Sequence, residues 1–573
     1  MTSGGGDPGW ADVLTYLAPV PNLWRSLAAM APITVCHEDT GWITADKLAG
    51  VAFPASEATV SRTAGDLFAR LRDSAGSEAM AGTDVKPWFR LGDPLDGQLQ
   101  GDSLHASGIV AVGRQPDASA WFAAEEGAGR VAQQYVVGVC GWPEVRDRGG
   151  NQALLRALAA EGVTAVVQEQ RDLRAIVQLD LRSGRMWPAV LGMARHGLEV
   201  ASSKPAGPWP PASRLLLHRS ELTIGRHSAC AAVPAAFGAW LHDVAVPAAA
   251  ALPEALMLRR PLAARPATDC MRLLDGEGTG WYLDALAGQL VAQRYIDAAA
   301  NDSPAIARAH RESVAIARAL GDQVCASAVW LKLRPRQANT VIDAQLAGLT
   351  SYEPIAGSCE LPLGESDACE AGLLFRVRPG LGLANGLYLD QRTNRALVRQ
   401  LAADRRVLNT FCYTGGFTVA AAAGGARRTV SIDAAAPALA DARHNLNTNG
   451  FVDQQRHDLI RGDVLPWLAK LARRGDRFDL VVLDPPSYAT VKNRRWSAAQ
   501  DYPALVAAAL QVLDPGGRVL ACVNHAQVDA QRLHQMVTAG ARSVGVALQE
   551  VVHQPSQLDF PAGRAKAVLV TRQ

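Results

Sequence analysis

From Gln134 onward the apolar positions fall into short runs and helical stripes that read as discrete elements. QYVVGVCG (134–141) is a continuous apolar run and predicts a strand. NQALLRALAAEG (151–162) carries apolar residues at helical spacing and ends on a glycine, while TAVVQEQ (164–170) and AIVQLDL (175–181) predict two further strands. This β-α-β-β run is a small α/β unit ending near Val200, followed by a Pro- and Ser-rich stretch, SSKPAGPWPPAS (202–213), with linker composition. Further on, WYLDAL (281–286) and GQLVAQRYI (288–296) form two strands around a turn. Pro304 then opens an amphipathic helix that closes near Gly321, and SAVWLKLRP (327–335) and LLFRVRPG (373–380) follow as strands. Residues 1–130 give only scattered helical patches, Asp66–Leu71 among them, between Gly- and Asp-rich turns.

A regular alternation begins at Arg406. VLNTFCYTGGFTVAAAAGG (407–425) predicts an apolar strand, a glycine turn and a helix of small residues. Strands ending on Asp433 (in ARRTVSIDAA), Asp463 (in LIRGDVLPWL) and Asp484 (in FDLVVLDPPSY) come next, and DPGGRVLACVNHA (514–526) supplies a glycine turn and a fifth strand. Helices between buried apolar strands mean a parallel sheet covered on both faces.

The fold class read from these patterns is α/β. The expected divisions are an unassigned region over 1–130, a small α/β domain with linker over 131–260, an α+β module over 268–380 and a Rossmann-like domain over 381–573. At 573 residues the chain is too long for a single core. Its +2 net charge announces no global field for nucleic acid, so such binding needs a local patch. The nine cysteines are scattered with no C-x-x-C pair, which argues against disulfides and a zinc site, so no metal is expected. The opening MTSGGGDPGW lacks the charged start and apolar run of a signal peptide, so none is expected. The most apolar stretch, Ala229–Met257, is broken by Pro234, His242, Asp243, Pro247 and Pro253, so no membrane span and a cytoplasmic location are expected.

In an open α/β sheet, ligands bind outside the carboxyl ends of the strands, where the glycine turn and the acidic tips gather. Backbone N–H groups of the turn Tyr413-Thr414-Gly415-Gly416 and the helix behind it can approach a ligand closely. Asp433, seventeen residues after Gly416, is placed to accept hydrogen bonds from ribose hydroxyls. In the DPPSY element, Asp484 and the carbonyl near Pro485 can accept hydrogen bonds from a planar base. Pro485 and Pro486 stiffen the loop, and Tyr488 offers a stacking face. The basic run Lys492-Asn493-Arg494-Arg495-Trp496 adds charge and a second aromatic, a combination that suits an unstacked RNA base, although a solvated loop has the same composition.

These stretches, GLYLDQR (386–392), VLNTFCYTGGF, VSID, RGDV, FDLVVLDPPSY and PGGRVL (515–520), resemble the bacterial large-subunit ribosomal RNA methyltransferases, with their cytosine-C5 and guanine-N7 branches. The resemblance covers about residues 268–573; residues 1–260 do not look like the PUA or THUMP modules common in that family. It implies a class I methyltransferase using S-adenosylmethionine (SAM) on ribosomal RNA. Tyr388, Asp390, Gln391 and Arg392 would border the cofactor, with Arg392 near its carboxylate. Asp433 would hold the ribose and Asp463 the adenine, with Asn409, Thr414, Gly415 and Gly416 at the methionine end. Asp484, which would also border the cofactor, would face the substrate together with Pro485, Pro486, Tyr488 and Asn524.

Cytosine C5 requires a cysteine thiolate that adds to the ring, whereas a base nitrogen has its own lone pair. The C5 branch carries that cysteine seven residues past the Gly-Gly; here the position is Asn524, which the N7 branch also has, and nitrogen methylation is favoured. Strand alternation points Cys522 to the same face as Asn524, so it stays a candidate beside its reading as a core residue. His525 reads as solvent-facing or as a base, and Cys412 as packing. The competing functions are methylation of a small molecule or protein recognised by the N-terminal half, and a scaffold without catalysis.

Overall fold

The computed structural model describes residues 34–38, 42–47, 89–91, 107–113, 118–144, 148–160, 163–181, 193–202, 212, 215–263, 268–276, 278–296, 303–335, 354–382, 384–491, 494–525, 527–553, 557, 559–560 and 566–573. The expected helical patch at Asp66–Leu71 and most of the 202–213 stretch lie outside them.

The upstream half is built on one ten-stranded sheet, and it crosses residue 130, where a domain boundary was expected. Its main path runs Thr34–Glu38, Trp42–Lys47, Ser107–Gly113, Leu217–Ile224, Val131–Cys140, Arg174–Leu181 and Thr164–Arg171. Strand Leu217–Ile224, beyond the linker-like stretch, is thus inserted between strands from either side of residue 130. The central strand Val131–Cys140 explains why the sheet holds: Tyr135, Val137 and Val139 enter one core with Trp142 and Leu158, and Val136 and Cys140 enter the other with Phe237 and Trp240. Ala229–Met257 folds as expected into buried helical turns, Ala236–His242 and the start of Ala248–Ala263. Among the described residues no helix is long and apolar enough to cross a membrane.

The α+β module carries the expected strands Trp281–Leu286, Gln289–Ile296 and Ala328–Pro335 and the helix Ser303–Gln323, joined by a strand the pattern did not single out, Cys270–Gly276. Ala317 and Leu320 of that helix, with Val324 just past its end, pack on Leu290, Ala292, Leu331 and Leu333. The strand expected at 373–380 does not join this sheet. Leu373–Val377 pairs with Ser366–Glu370 as a separate hairpin. The edge backbone of that hairpin is satisfied downstream, with Leu374 N–H donating to Asn449 Oδ1 (2.9 Å) and Arg376 N–H to Asn445 Oδ1 (2.8 Å). One apolar cluster joins Cys270, Leu286 and Trp330 to Phe375, Leu387, Val419 and Leu446, so the expected division at 380 runs through a shared core.

Within the downstream domain the strands are β1 (Arg406–Thr410), β2 (Arg428–Asp433), β3 (His457–Arg461), β4 (Phe478–Leu483), β5 (Leu513–Val523), β6 (Leu548–His553) and β7 (Lys566–Arg572). The helices are α1 (Arg392–Leu401), α2 (Gly416–Ala423), α3 (Ala436–Thr448), α4 (Val464–Arg474), α5 (Ala498–Leu510) and α6 (Ala530–Ser543). The sheet order is β3-β2-β1-β4-β5-β7-β6. The first five strands are parallel to their neighbours, and β7 runs antiparallel between β5 and β6. Strand order reverses between β1 and β4, so the carboxyl ends of those two strands open a crevice.

Candidate active site

A cleft of about 430 Å³ occupies that crevice, a volume ordinary for a small-molecule site. Of the residues singled out from sequence, it gathers Tyr388, Asp390, Gln391, Thr414, Gly416, Asp433, Asp463, Asp484, Pro485, Pro486 and Asn524 on its walls.

The glycine turn after β1 is tightly wound. Phe411 (φ 53°), Tyr413 (φ 49°) and Gly415 (φ 77°) all lie in the left-handed region, a strained conformation for the two aromatic residues. Asp433 at the tip of β2 holds it: Oδ2 accepts from Tyr413 N–H (2.8 Å) and Oδ1 from Ala435 N–H (2.8 Å). A Cβ on Gly415 would sit 2.9 Å from Ala442 Cβ, so only glycine lets the turn lie on α3. Asp463, at the N-cap of α4, makes no side-chain capping bond to that helix, and its carboxylate lines the cleft.

The other end of the cleft is a buried polar network. Gln391 Nε2 donates to Asp484 Oδ1 (3.0 Å), and Asn394 Nδ2 donates to Gln391 Oε1 (2.6 Å), fixing the amide. Asn524 Nδ2 donates to Asp390 Oδ2 (3.1 Å), and Ser487 Oγ donates to the Asn524 carbonyl. Burial, reinforced by the Asp390 charge and only partly offset by Arg395, pushes the Asp484 carboxyl up to about 7. Burial raises Asp390 as well, against the Arg272 and Arg395 charges.

Two expected cofactor residues do not reach the cleft. Asn409 is 1% exposed and donates from Nδ2 to Thr418 Oγ1 (2.9 Å) beneath α2. Arg392 is committed to Glu370 Oε2 (3.2 Å), Asp559 Oδ2 (2.7 Å) and the Cys270 carbonyl (2.6 Å), so its guanidinium lies in the shared core. The arginine that does line the cleft is Arg395, one helical turn on. It holds both oxygens of Glu370 (2.7 Å each) and the Tyr388 carbonyl (2.7 Å). The R-x-x-R spacing in RTNR was the available signal. Gly415 shapes the turn without lining the cleft, while Phe411, Phe417 and Ser487 line it without having been singled out.

His525 does not face solvent as expected: it is 3% exposed, and its Nδ1 accepts from Gln527 N–H (3.1 Å) in the turn after β5. Cys412 is buried at the cleft wall. Trp496 does not stand free, since its indole donates to the Pro486 carbonyl (3.0 Å) and its ring lies 6.2 Å from Phe411, bracing the DPPS loop. Lys492, Asn493 and the side chains of Tyr488, Arg494 and Arg495 lie outside the described residues.

These residues fit SAM. The cleft has the size, the carboxylates of Asp433 and Asp463 on its wall can accept hydrogen bonds from hydroxyl and amino groups, and the N-terminus of α2 opens onto it. Asp433→Ala is expected to weaken SAM binding by about 1–3 kcal/mol, roughly five- to 150-fold in Kd. Calorimetric titration checks this, and an unchanged Kd would show that the β2 tip does not touch the cofactor.

The sequence matches the family model described as S-adenosylmethionine-dependent methyltransferase over residues 278–571. A Deinococcus radiodurans protein named ribosomal RNA large subunit methyltransferase is 33% identical over 322 residues, 56% of this chain and 75% of that protein. Ribosomal RNA large subunit methyltransferase I of Klebsiella pneumoniae is 34% identical over 208 residues, 36% of this chain and 51% of that protein, so the chain spans about half the length of that relative. A crystal structure of a methyltransferase complexed with SAH, 24% identical, aligns at a TM-score of 0.47 over 56% of this chain and 80% of that one. With a match covering just over half its length, on the part that carries the cleft, the chain belongs to the S-adenosylmethionine-dependent methyltransferase family.

Proposed function

We propose that this chain methylates a base nitrogen of large-subunit ribosomal RNA in the cytoplasm. The names of its relatives support the substrate class. The observation that carries the choice of atom is the state of Cys522. It is fully buried, packed among Val398, Leu480, Val482 and Leu520, and absent from the cleft wall. Burial, with the Asp484 and Asp390 charges, pushes its thiol well above the ordinary value, so a thiolate is disfavoured there. Asn524 stands at the cleft instead.

SAM supplies an electrophilic methyl on a sulfonium, and the residues of the chain contribute alignment and charge. Gln391 and Asn524 hold Asp484 and Asp390 at the substrate end. A neutral ring nitrogen such as guanine N7 becomes cationic on methylation, and two fixed carboxylates lower the energy of that charge. The exposed Tyr388 ring, 5.2 Å from Tyr413, offers an unstacked base a face at the rim.

The test is incubation with tritiated SAM and large-subunit ribosomal RNA from a strain lacking this gene, followed by nucleoside mass spectrometry. A methylguanosine, formed equally by Cys522→Ser, is the expected product. A 5-methylcytidine lost in Cys522→Ser would overturn the nitrogen reading, and no label would overturn the RNA reading.

A further inference from the structure

Between β6 and β7 in the sequence, Asp559 carries a fully buried carboxylate. Asp559 Oδ2 accepts from Arg392 Nη1 (2.7 Å) on α1 and from the backbone N–H of Arg272 (3.3 Å) on the upstream strand Cys270–Gly276. The Asp559 carbonyl accepts from Arg259 Nη2 (3.3 Å), on the helix Ala248–Ala263. The next residue, Phe560, enters the shared apolar core with the Arg272 guanidinium 4.6 Å from its ring centroid. Two residues before Asp559, Gln557 Nε2 donates to the carbonyl of Asp390, whose side chain lines the cleft and takes the amide of Asn524. A buried charge of this kind costs stability unless fully paired, yet Asp559 Oδ1 has no hydrogen-bond partner among the described residues. Packing alone would be served as well by an apolar residue.

We propose that Gln557 and Asp559 are positioning residues of the methyl-transfer site: Asp559 anchors their segment to the upstream module and α1, and Gln557 uses that anchor to fix the backbone at Asp390. The α+β module then supports the active-site wall from behind rather than standing as an appended domain. Neither residue touches the reacting atoms. Both act through Asp390 and the strap 386–392, which Thr414 Oγ1 also grips at the Gly386 carbonyl (2.6 Å) and Arg395 at the Tyr388 carbonyl. The inference rests on the methyl-transfer reading of the cleft but not on RNA as the substrate.

The test is hydrogen exchange on the full chain in the absence of substrate, comparing wild type, Gln557→Ala and a core variant remote from the strap, Val537→Ala on α6. Amide exchange across 386–392 is expected to rise about tenfold in Gln557→Ala, the scale of one lost hydrogen bond, and to stay at the wild-type rate in Val537→Ala. With the RNA assay, kcat of Gln557→Ala is expected to fall with the KM for SAM retained. Unchanged exchange in Gln557→Ala, or an equal rise in both variants, would overturn the positioning role. Accelerated exchange in a protein whose wild type labels no RNA would overturn the substrate reading alone.

Discussion

Glu370→Ala is expected to lower the melting temperature of the methyltransferase domain by roughly 10 °C. Glu370 is 5% exposed and takes both Arg395 and Arg392, so its removal leaves two buried guanidiniums short of their counter-charge. Breaking a buried pair from one side costs about 3–5 kcal/mol, and each kcal/mol moves a domain of this size by about 2–4 °C. The loss also reaches the cleft, because Arg395 is the donor that fixes the Tyr388 carbonyl. The pH dependence has a definite sign. Burial alone would raise the Glu370 carboxyl, but the two guanidiniums outweigh it and hold it below the usual carboxylate range. Its contribution is therefore full above the ordinary carboxylate value and lost as pH falls through the depressed one. Calorimetry of wild type and Glu370→Gln should show a gap in melting temperature at neutral pH that closes in acid. A gap independent of pH would mean that the charge contributes nothing.

Asp484→Asn is expected to lower kcat about a hundredfold while leaving SAM affinity within a few-fold, since it removes a fixed negative charge from the substrate end only. With its carboxyl pushed up to about 7, Asp484 gains its charge in the neutral range. Wild-type kcat should therefore rise with pH through that value, and the profile of Asp484→Asn should be flat there. The same shift works against stability. The folded state holds this proton more tightly than the unfolded chain, so stability is lost as pH rises toward and through about 7. Asp484→Asn should accordingly melt higher than wild type above neutrality. An unchanged pH–rate profile in the variant would remove Asp484 from the chemistry.

The parts of the site legible in the sequence are those fixed by local pattern. Buried parallel strands appear as unbroken apolar runs, so VSID and FDLVVLD marked their own tips, and Asp433 and Asp484 fell at the cleft as a consequence. Arg392 and Arg395 look equivalent in RTNR. What separates them is Asp559, 167 positions after Arg392 and far outside any local window. Asn409 sits at a strand end like the acids do, but it spends its amide on Thr418 under the helix. The polar chain Asn394–Gln391–Asp484 depends on which side chains meet across separate elements, and no spacing rule reports that. The boundary expected at 130 failed for the same reason, since strand Ser107–Gly113 finds its neighbour 110 residues later, where the Ile109 carbonyl accepts from Arg219 (3.0 Å).

That late insertion has a consequence for how the upstream half comes into being. A strand from beyond residue 216 must slip between two segments made much earlier, and the closure of a long loop precedes any return from pairing. Until then, strand Val131–Cys140, apolar on both faces, lacks one lateral neighbour and presents an open edge. During synthesis the upstream half thus passes through a stage in which its most adhesive strand waits for its partner. Slowed translation between residues 140 and 217 should lengthen that stage and divert more of the chain into aggregates, whereas the same slowing within the α+β module should not.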